Sequence, residues 1–323
     1  MAQTDREDAN PLIPEEIATE IIKAAPASSN IMSLARKLPN LSSKTRALPV
    51  MSSLPTAYWV NEANSANETE ASTFKRTSRA QWDKKILTIQ ELAVIVPVPE
   101  AVLDDAAYDI WGEILPYISE AIGQQFDIAV LAGDGVSIPG FPQGIIPATP
   151  AANVIEATND CYKDIWGVDG LVSRVEDKGF NITAHLAPLK FKGILRSIRQ
   201  DNGGLIFAPV PQSNTTYSID GTPIIFDLNG SMNPSEVLDI CGDWNTVVWA
   251  IRSDMNIKKL DQAMIQDPDT GDVLYNLAQQ DMVALRVTFR AGWQIANPVT
   301  RLNPVYGSAY PFAILMPAAP EEP

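Results

Sequence analysis

DIWGEILPYISEAIGQQFDIAVL, residues 109–131, places Ile110, Ile114, Ile118, Ile122, Phe126 and Val130 four residues apart. That spacing sets six apolar side chains along one slowly drifting face and predicts a helix of about six turns. Gly133 stands just beyond it and is expected to supply a left-handed stop. Pro116 interrupts the middle. Its ring opposes the carbonyl of Gly112 and removes one ladder bond, at ~3 kcal/mol unless the helix bends. A kink at Gly112–Pro116 is therefore expected, either as a fixed feature or as a place where the subunit bends.

The pattern differs on either side of this helix. Upstream, residues 56–97 read as strands: AYWVNEA, then a polar stretch NSANETEAS, then a long run ending KKILTIQELAVIVPV. The polar middle has no apolar anchor, so the segment predicts a hairpin-like excursion with its tip near 64–72. A two-stranded element of this kind is marginal alone and calls for a partner surface. Before it, residues 1–55 read as an arm. Pro14 followed by Glu15 and Glu16 opens a short helix bearing Ile17, Ile21 and Ile22. After Pro26 the chain is expected to be irregular, with Pro39 and Pro49 keeping it extended.

Downstream, the loop GDGVSIPGFPQGI lacks the GK[ST] ending or the strand–GxGxxG–helix setting that cradles phosphates. Residues 152–280 read as a compact α/β unit. It comprises a helix over 162–178 carrying Ile165, Val168, Val172 and Val175 and ending at Gly179, a strand over 181–186, and a helix from Pro188 through Ile198. A turn at Asn202-Gly203-Gly204 and extended pieces around Tyr217, 223–226 and 246–251 follow. Met282 to Ile295 alternates, with Val283, Leu285, Val287 and Phe289 on one side, and predicts a half-buried strand. Beyond Pro304 the prolines and terminal acids predict an extended surface tail.

Composition narrows the chemistry. At 323 residues with 46% apolar residues the chain can build a substantial core. The longest apolar run, 92–103, contains Pro97, Pro99 and Glu100, too broken for a membrane span. The acidic MAQTDRED start does not read as a secretory signal. The net charge of −15 opposes general phosphate binding. Charge is uneven, however: residues 1–20 carry six acids and one base, whereas 21–50 carry Lys23, Arg36, Lys37, Lys44 and Arg46 and no acid. Such a basic arm is either a solvated tail or lies against an acidic neighbour or a nucleic acid. Cys161 and Cys241 make no disulfide framework and are expected as reduced thiols. His185, the one histidine, sits in a strand-like stretch and is expected to be structural. With so few His and Cys, hydrolase triads and most zinc sites are poorly supplied. No catalytic, cofactor-binding or metal residue is expected, and no cofactor.

The order of these elements resembles the major capsid proteins of tailed bacteriophages, a fold shared with encapsulin nanocompartments and the herpesvirus capsid floor. AYWVNE (57–62) resembles the strand leading into that family's extended loop, and ILTIQELAVIVPVPEAVLDDA (86–106) the strand leaving it with the turn before the spine helix. DIAVLAGDG (127–135) and PGFPQGI (139–145) are similar to the end of that helix and its following loop. SIDGTPIIF (218–226) and CGDWNTVVWAIR (241–252) resemble two axial-domain landmarks, and RVTFRAGWQIANPVTRL (286–302) the returning strand.

The resemblance implies an α+β tailed-phage capsid fold with four parts. These are an N-terminal arm (1–55), an extended β-hairpin loop (56–97), a peripheral domain (98–151 plus 281–323) with spine helix 109–131, and an axial domain (152–280). It implies a non-enzymatic subunit that self-assembles into hexamers and pentamers of an icosahedral shell around the phage genome, located in the virion and assembled in the host cytoplasm. The implied partners are further copies of the chain, a portal, a separate scaffold protein and, optionally, a decoration protein. Packaged DNA would be contacted weakly or not at all, because an acidic interior repels it, and no membrane is involved. Some relatives cross-link through a lysine at the loop tip; 62–72 has none, the nearest being Lys75, so no such link is expected. About a dozen residues precede LIPEEI, so no cleaved scaffolding segment is expected. An encapsulin-like nanocompartment shell is the nearest alternative. A carboxylate-based hydrolase such as a glycosidase, needing two acids and no histidine, is the alternative of another class.

Overall fold

The computed structural model describes residues 29–57, 77–105, 110–158, 160–198, 218–252, 256–267 and 270–318. The chain opens with α1 (Asn30–Leu34), β1 (Arg36–Lys37), β2 (Thr45–Ser53), β3 (Gln81–Thr88), β4 (Gln90–Pro99), α2 (Glu100–Asp105) and the long α3 (Ile110–Leu131). It continues through α4 (Ile145–Ala148), β5 (Val154–Glu156), α5 (Cys161–Trp166), α6 (Leu171–Glu176), β6 (Ala184–Pro188), α7 (Phe191–Ser197), β7 (Ser218–Ile219) and β8 (Thr222–Asp227). The remaining elements are β9 (Asp239–Gly242), β10 (Val247–Ile251), β11 (Asn256–Leu260), β12 (Met264–Gln266), β13 (Val273–Asn276), β14 (Met282–Ile295) and β15 (Phe312–Met316).

The expected strand over 282–295 is the organiser of a five-stranded sheet. One edge of β14 pairs antiparallel with β4 from Met282↔Pro99 to Ala291↔Gln90. Its other edge takes β11 and then β10, with β1 added parallel to β10. Alternation decides the two faces: Leu285, Val287, Phe289, Ala291 and Trp293 are buried, and Arg286, Thr288 and Arg290 lie on the opposite side. The buried face receives α3, whose Ile118, Ile122, Phe126 and Val130 are at most 3% exposed. Phe126 meets Trp249 of β10 edge-on at 6.2 Å. Helix α3 runs unbroken across Pro116, which sits in its exposed half.

A second sheet has the order β5-β15-β9-β6-β8-β7. One of its faces adds Leu186, Ile240, Phe312 and Ile314 to the same core as α3. The other face is covered by α5, α6 and α7 through Ile165, Leu171, Val175, Phe191 and Leu195. β2 and β3 form a separate two-stranded ribbon.

Several expectations are corrected. The tail beyond Pro304 is not an extended surface segment: Phe312–Leu315 are fully buried, and β15 lies between β5 and β9 because FAILM is an unbroken apolar run suited to a two-sided core. The helix expected over 162–178 is two helices. Gly167 takes an extended conformation (φ −58°, ψ 163°) that stops the first, and Val168, expected inward, is 89% exposed. Gly133 is not left-handed; the first residue after α3 with positive φ is Gly135 (74°). Gly133 is needed for a different reason, since a Cβ there would stand 2.4 Å from the Ala129 carbonyl oxygen. The stretch after Pro26 is not wholly irregular, because Ser29 caps α1 by accepting from the Met32 N–H at 3.0 Å. The excursion is rooted earlier than 56, as β2 begins at Thr45 and Pro49 lies within it. Strand pairing also crosses the expected 280/281 boundary: β10 and β11 belong to the sheet of β14, and β15 belongs to the other. The helix at 14–22, the Tyr58–Trp59 pair, the tip at 64–72, the turn at 202–204 and Tyr217 lie outside the described residues.

Candidate functional site

Two features stand out as places where the subunit is held together or open to partners. The first is a polar junction in the apolar interior. Asp127 of α3 is fully buried, yet its carboxylate accepts four hydrogen bonds. Donors to Oδ1 are the Ser29 hydroxyl (2.5 Å) and the Ile31 N–H (3.3 Å). Those to Oδ2 are the Asn30 N–H (2.9 Å) and the Asn229 side-chain amide (2.8 Å). Asp227, at the end of β8, completes the arrangement by accepting from the Asn30 side-chain amide at 2.8 Å and the Met232 N–H at 2.9 Å. Three distant pieces of chain thus meet: the segment at Ser29–Ile31, α3, and the turn after β8.

Burial penalises the charged form of Asp127 more than the four donors favour it, so its pKa is pushed up from 3.8 to about 6. Between these values the native protein holds a proton that the unfolded chain has released. The residue therefore favours the fold at low pH, and that contribution is lost as pH rises through about 6. Denaturant midpoints of the wild type and Asp127→Asn across pH 4–8 should reveal this: the wild type loses stability relative to the variant as pH rises. A flat difference would contradict the assignment.

The second feature is the β2–β3 ribbon. Val50, Leu48 and Leu87 face inward, and Lys85 Nζ donates to the Ile295 carbonyl at 2.8 Å. The other side pairs Met51 with Trp82 and Ala47 with Ile86. Trp82 is 63% and Ile86 51% exposed, large apolar groups on a ribbon with one open face.

The expected structural histidine is in β6, fully buried, with Nδ1 2.7 Å from Asp239 Oδ2. Cys241 stands opposite His185 across the β6–β9 pairing. The trio has the residue types of a nucleophile, base and orienter, but all three are fully buried. Burial pushes the Cys241 thiol well above its ordinary value, and its Sγ approaches the Leu171 carbonyl at 3.5 Å. A protonated, enclosed thiol is inert as a nucleophile. Cys161 is half-buried at the start of α5 and is also held protonated, pushed up to about 12 by desolvation and nearby carboxylates. Among the described residues no group of three or more His, Cys, Asp or Glu is placed to hold a metal ion, and no helix is long and apolar enough to cross a membrane. The loop after α3 lines a groove of about 280 Å³ with Gln125, Ile128, Ala129 and Phe141. Its turn is tied by Asp134, which accepts from the Val136 and Ser137 N–H groups and the Ser137 hydroxyl.

The long α3 packed on one sheet, the β2–β3 ribbon and the second sheet invite comparison with known families. The sequence profile of the Phage capsid family matches residues 9–300. The chain belongs to the phage capsid family. Among curated proteins it is similar to the major capsid protein of Staphylococcus phage 80alpha, with 25% identity over 287 residues, covering 87% of this chain and 81% of that protein. A solved structure from Microbacterium phage Oxtober96 superposes with a TM-score of 0.73 at 30% identity, covering 90% of this chain and 91% of the other. One from Mycobacterium phage Cain superposes with a TM-score of 0.71 at 28% identity, covering 99% and 100%. The α+β capsid fold expected from the sequence is thus the fold of this chain, and its function is that of a major capsid shell protein.

Within that family the Asp127 junction is the feature sequence reading missed. Its signal was present: Ser119, Gly123 and Asp127 form a second stripe four residues apart, one residue beyond the apolar stripe. All three are buried.

Proposed function

We propose that this major capsid protein assembles into hexamers and pentamers of an icosahedral shell enclosing phage DNA, in the virion, after assembly in the host cytoplasm. A portal and a separate scaffold protein serve as partners, a decoration protein is an optional addition, and DNA contacts are weak because of the −15 charge. The subunit acts without catalysis. Residues 109–131 serve as the spine of a peripheral domain and 152–280 contribute most of an axial domain. The ribbon continuing from β2 and β3 lies over a neighbouring copy, and the arm before Ser29 reaches across adjacent subunits. The observation that carries this reading is the family match over 9–300, together with an apolar ribbon face, Trp82 and Ile86, that is exposed among the described residues.

Trp82→Ser combined with Ile86→Ser tests it. Exposed substitutions shift subunit stability by only about 0.5 kcal/mol, so unfolding should be almost unchanged. Shells seen by negative-stain microscopy of the wild type should fall at least tenfold in the double variant. Normal shell numbers in the variant would remove the ribbon from the interface. A wild-type protein that stays monomeric at every concentration would overturn the shell reading itself. What wild-type shells enclose, phage DNA or a cargo enzyme, separates this reading from a nanocompartment.

A further inference from the structure

The outer face of the five-stranded sheet concentrates positive charge on an acidic protein. Register places Arg286, Thr288 and Arg290 of β14 on that face, with Lys258 of β11 directly opposite Arg286. Arg252 follows β10, and its N–H donates to the Arg290 carbonyl at 3.0 Å. Two adjoining cavities lie here. One, of about 230 Å³, is lined by Lys44, Ile89, Gln90, Glu91, Arg252 and Arg290. The other, of about 220 Å³, is lined by Glu91, Ala93, Asn256, Arg286, Thr288 and Arg290. They share the ion pair between Arg290 Nε and Glu91 at 2.8 Å. Glu91 is the one acid lining either cavity, against Lys44, Arg252, Arg286 and Arg290.

Two observations mark Arg286 and Lys258 as the part of this charge least balanced among the described residues. Like charges directly opposite each other on neighbouring strands repel, as Lys258 and Arg286 must. Arg286 Nε is also buried from solvent with no hydrogen-bond partner among the described residues. A buried, partnerless donor on a cation costs free energy unless an acceptor arrives. The cavities suit carboxylates, which take guanidinium donors in pairs.

We infer that this face receives the acid-rich residues 5–20 of a second copy of the chain, a specific interface resting on the shell reading above. That segment carries Asp5, Glu7, Asp8, Glu15, Glu16 and Glu20 against one base, Arg6. It ends nine residues before Ser29, and nine extended residues span ~30 Å. Its root is fixed on the α3 side of the sheet, at Asp127, whereas the cations face the other way. A neighbour therefore presents the face more directly than the segment's own subunit does. Packaged DNA is the other polyanion to consider. Phosphate chains feel the net negative charge of every subunit, −15 each, whereas a tethered acidic segment meets the patch locally.

Zero-length carbodiimide coupling of assembled full-length shells, made from mixed light- and heavy-isotope subunits, tests this by joining carboxylates to lysines in ion-pair contact. Mass spectrometry should find residues 5–20 linked to Lys44 or Lys258, in mixed light–heavy pairs. Two charge reversals give the functional readout. Lys44→Glu with Lys258→Glu, and separately Glu15→Lys, Glu16→Lys and Glu20→Lys, should each lower shell yield about tenfold, and their combination should restore it. Lys44 and Lys258 are exposed, so the first variant keeps its fold. Shells without such links, links only within one subunit, or no restoration in the combined variant would overturn the proposal. Normal assembly of the Lys44/Lys258 variant with loss of retained DNA would overturn it in favour of a nucleic-acid face. Failure of the wild type to form particles would remove both the shell reading and this interface.

Discussion

Asp127→Ala is expected to destabilise the subunit by about 3 kcal/mol, because it strands buried donors and not merely one contact. The Ser29 hydroxyl, the Asn30 and Ile31 N–H groups and the Asn229 amide all aim at this carboxylate. Its removal leaves four donors facing an apolar gap that water enters poorly. The loss should be local first. The α1 segment detaches from α3, so amides of 30–35 should lose hydrogen-exchange protection before those of β14 do. Asp127→Asn keeps one acceptor oxygen and should cost less. Equal protection of 30–35 in wild type and Asp127→Ala would show that the apolar contacts of Ile31 and Met32 suffice to hold the arm.

Gly292→Ala should be comparably harmful for a steric reason. At this point in β14 the chain between β3 and β4 crosses the sheet so closely that a Cβ on Gly292 would stand 2.2 Å from the Thr88 carbonyl oxygen and 3.1 Å from Ile89 Cα. Both neighbours are backbone and cannot swing aside. Ile89 is also fixed by its N–H bond to the Lys44 carbonyl (2.8 Å) and by packing against Val248 and Ala250. Overpacking of this kind costs about 3 kcal/mol at its upper end, measurable as a lowered denaturant midpoint. The strain falls where the ribbon leaves the sheet, so its direction should change as well, and shell yield should fall further than stability alone accounts for. Gly193→Ala in α7 is the matched control. Its Cβ meets nothing within 4 Å, and the change should stabilise the helix by up to about 1 kcal/mol. If Gly292→Ala behaves like the control, the close crossing does not constrain the ribbon.

Elements whose partners are dictated by a single repeating period were legible in the sequence. The four-residue spacing from Ile110 to Val130 and the alternation from Val283 to Ile295 gave α3 and β14 nearly to the residue, since each element buries one face on a large surface. Pattern failed where one period ran across two environments. The spacing of Ile165, Val168, Val172 and Val175 fits a helix, yet Gly167 ends it and turns Val168 to solvent. Phe312–Met316 could not be placed by composition, because its strand partners are some 70 and 160 residues away. Proline near the end argues for surface chain only when no distant edge is waiting. The Ser119–Gly123–Asp127 stripe hinted at a second buried face, but the partners of Asp127 were hidden for a related reason: the donors at Ser29–Ile31 and Asn229 are brought to it only by the fold.

The position of β15 has a consequence for how a shell keeps its subunits uniform. The strand that joins β5 to β9 follows them in the chain by some 160 and 70 residues, so both of its neighbours emerge from the ribosome well before it does. Until then the six-stranded sheet is two fragments with bare edges, and the core shared with α3 lacks Phe312 and Ile314. Completion of this sheet therefore waits for residues 312–316, and a product cut short before them cannot pass as a finished building block. In a lattice where one faulty copy disturbs its neighbours, β15 works as a check that everything up to it has been made before the subunit is admitted.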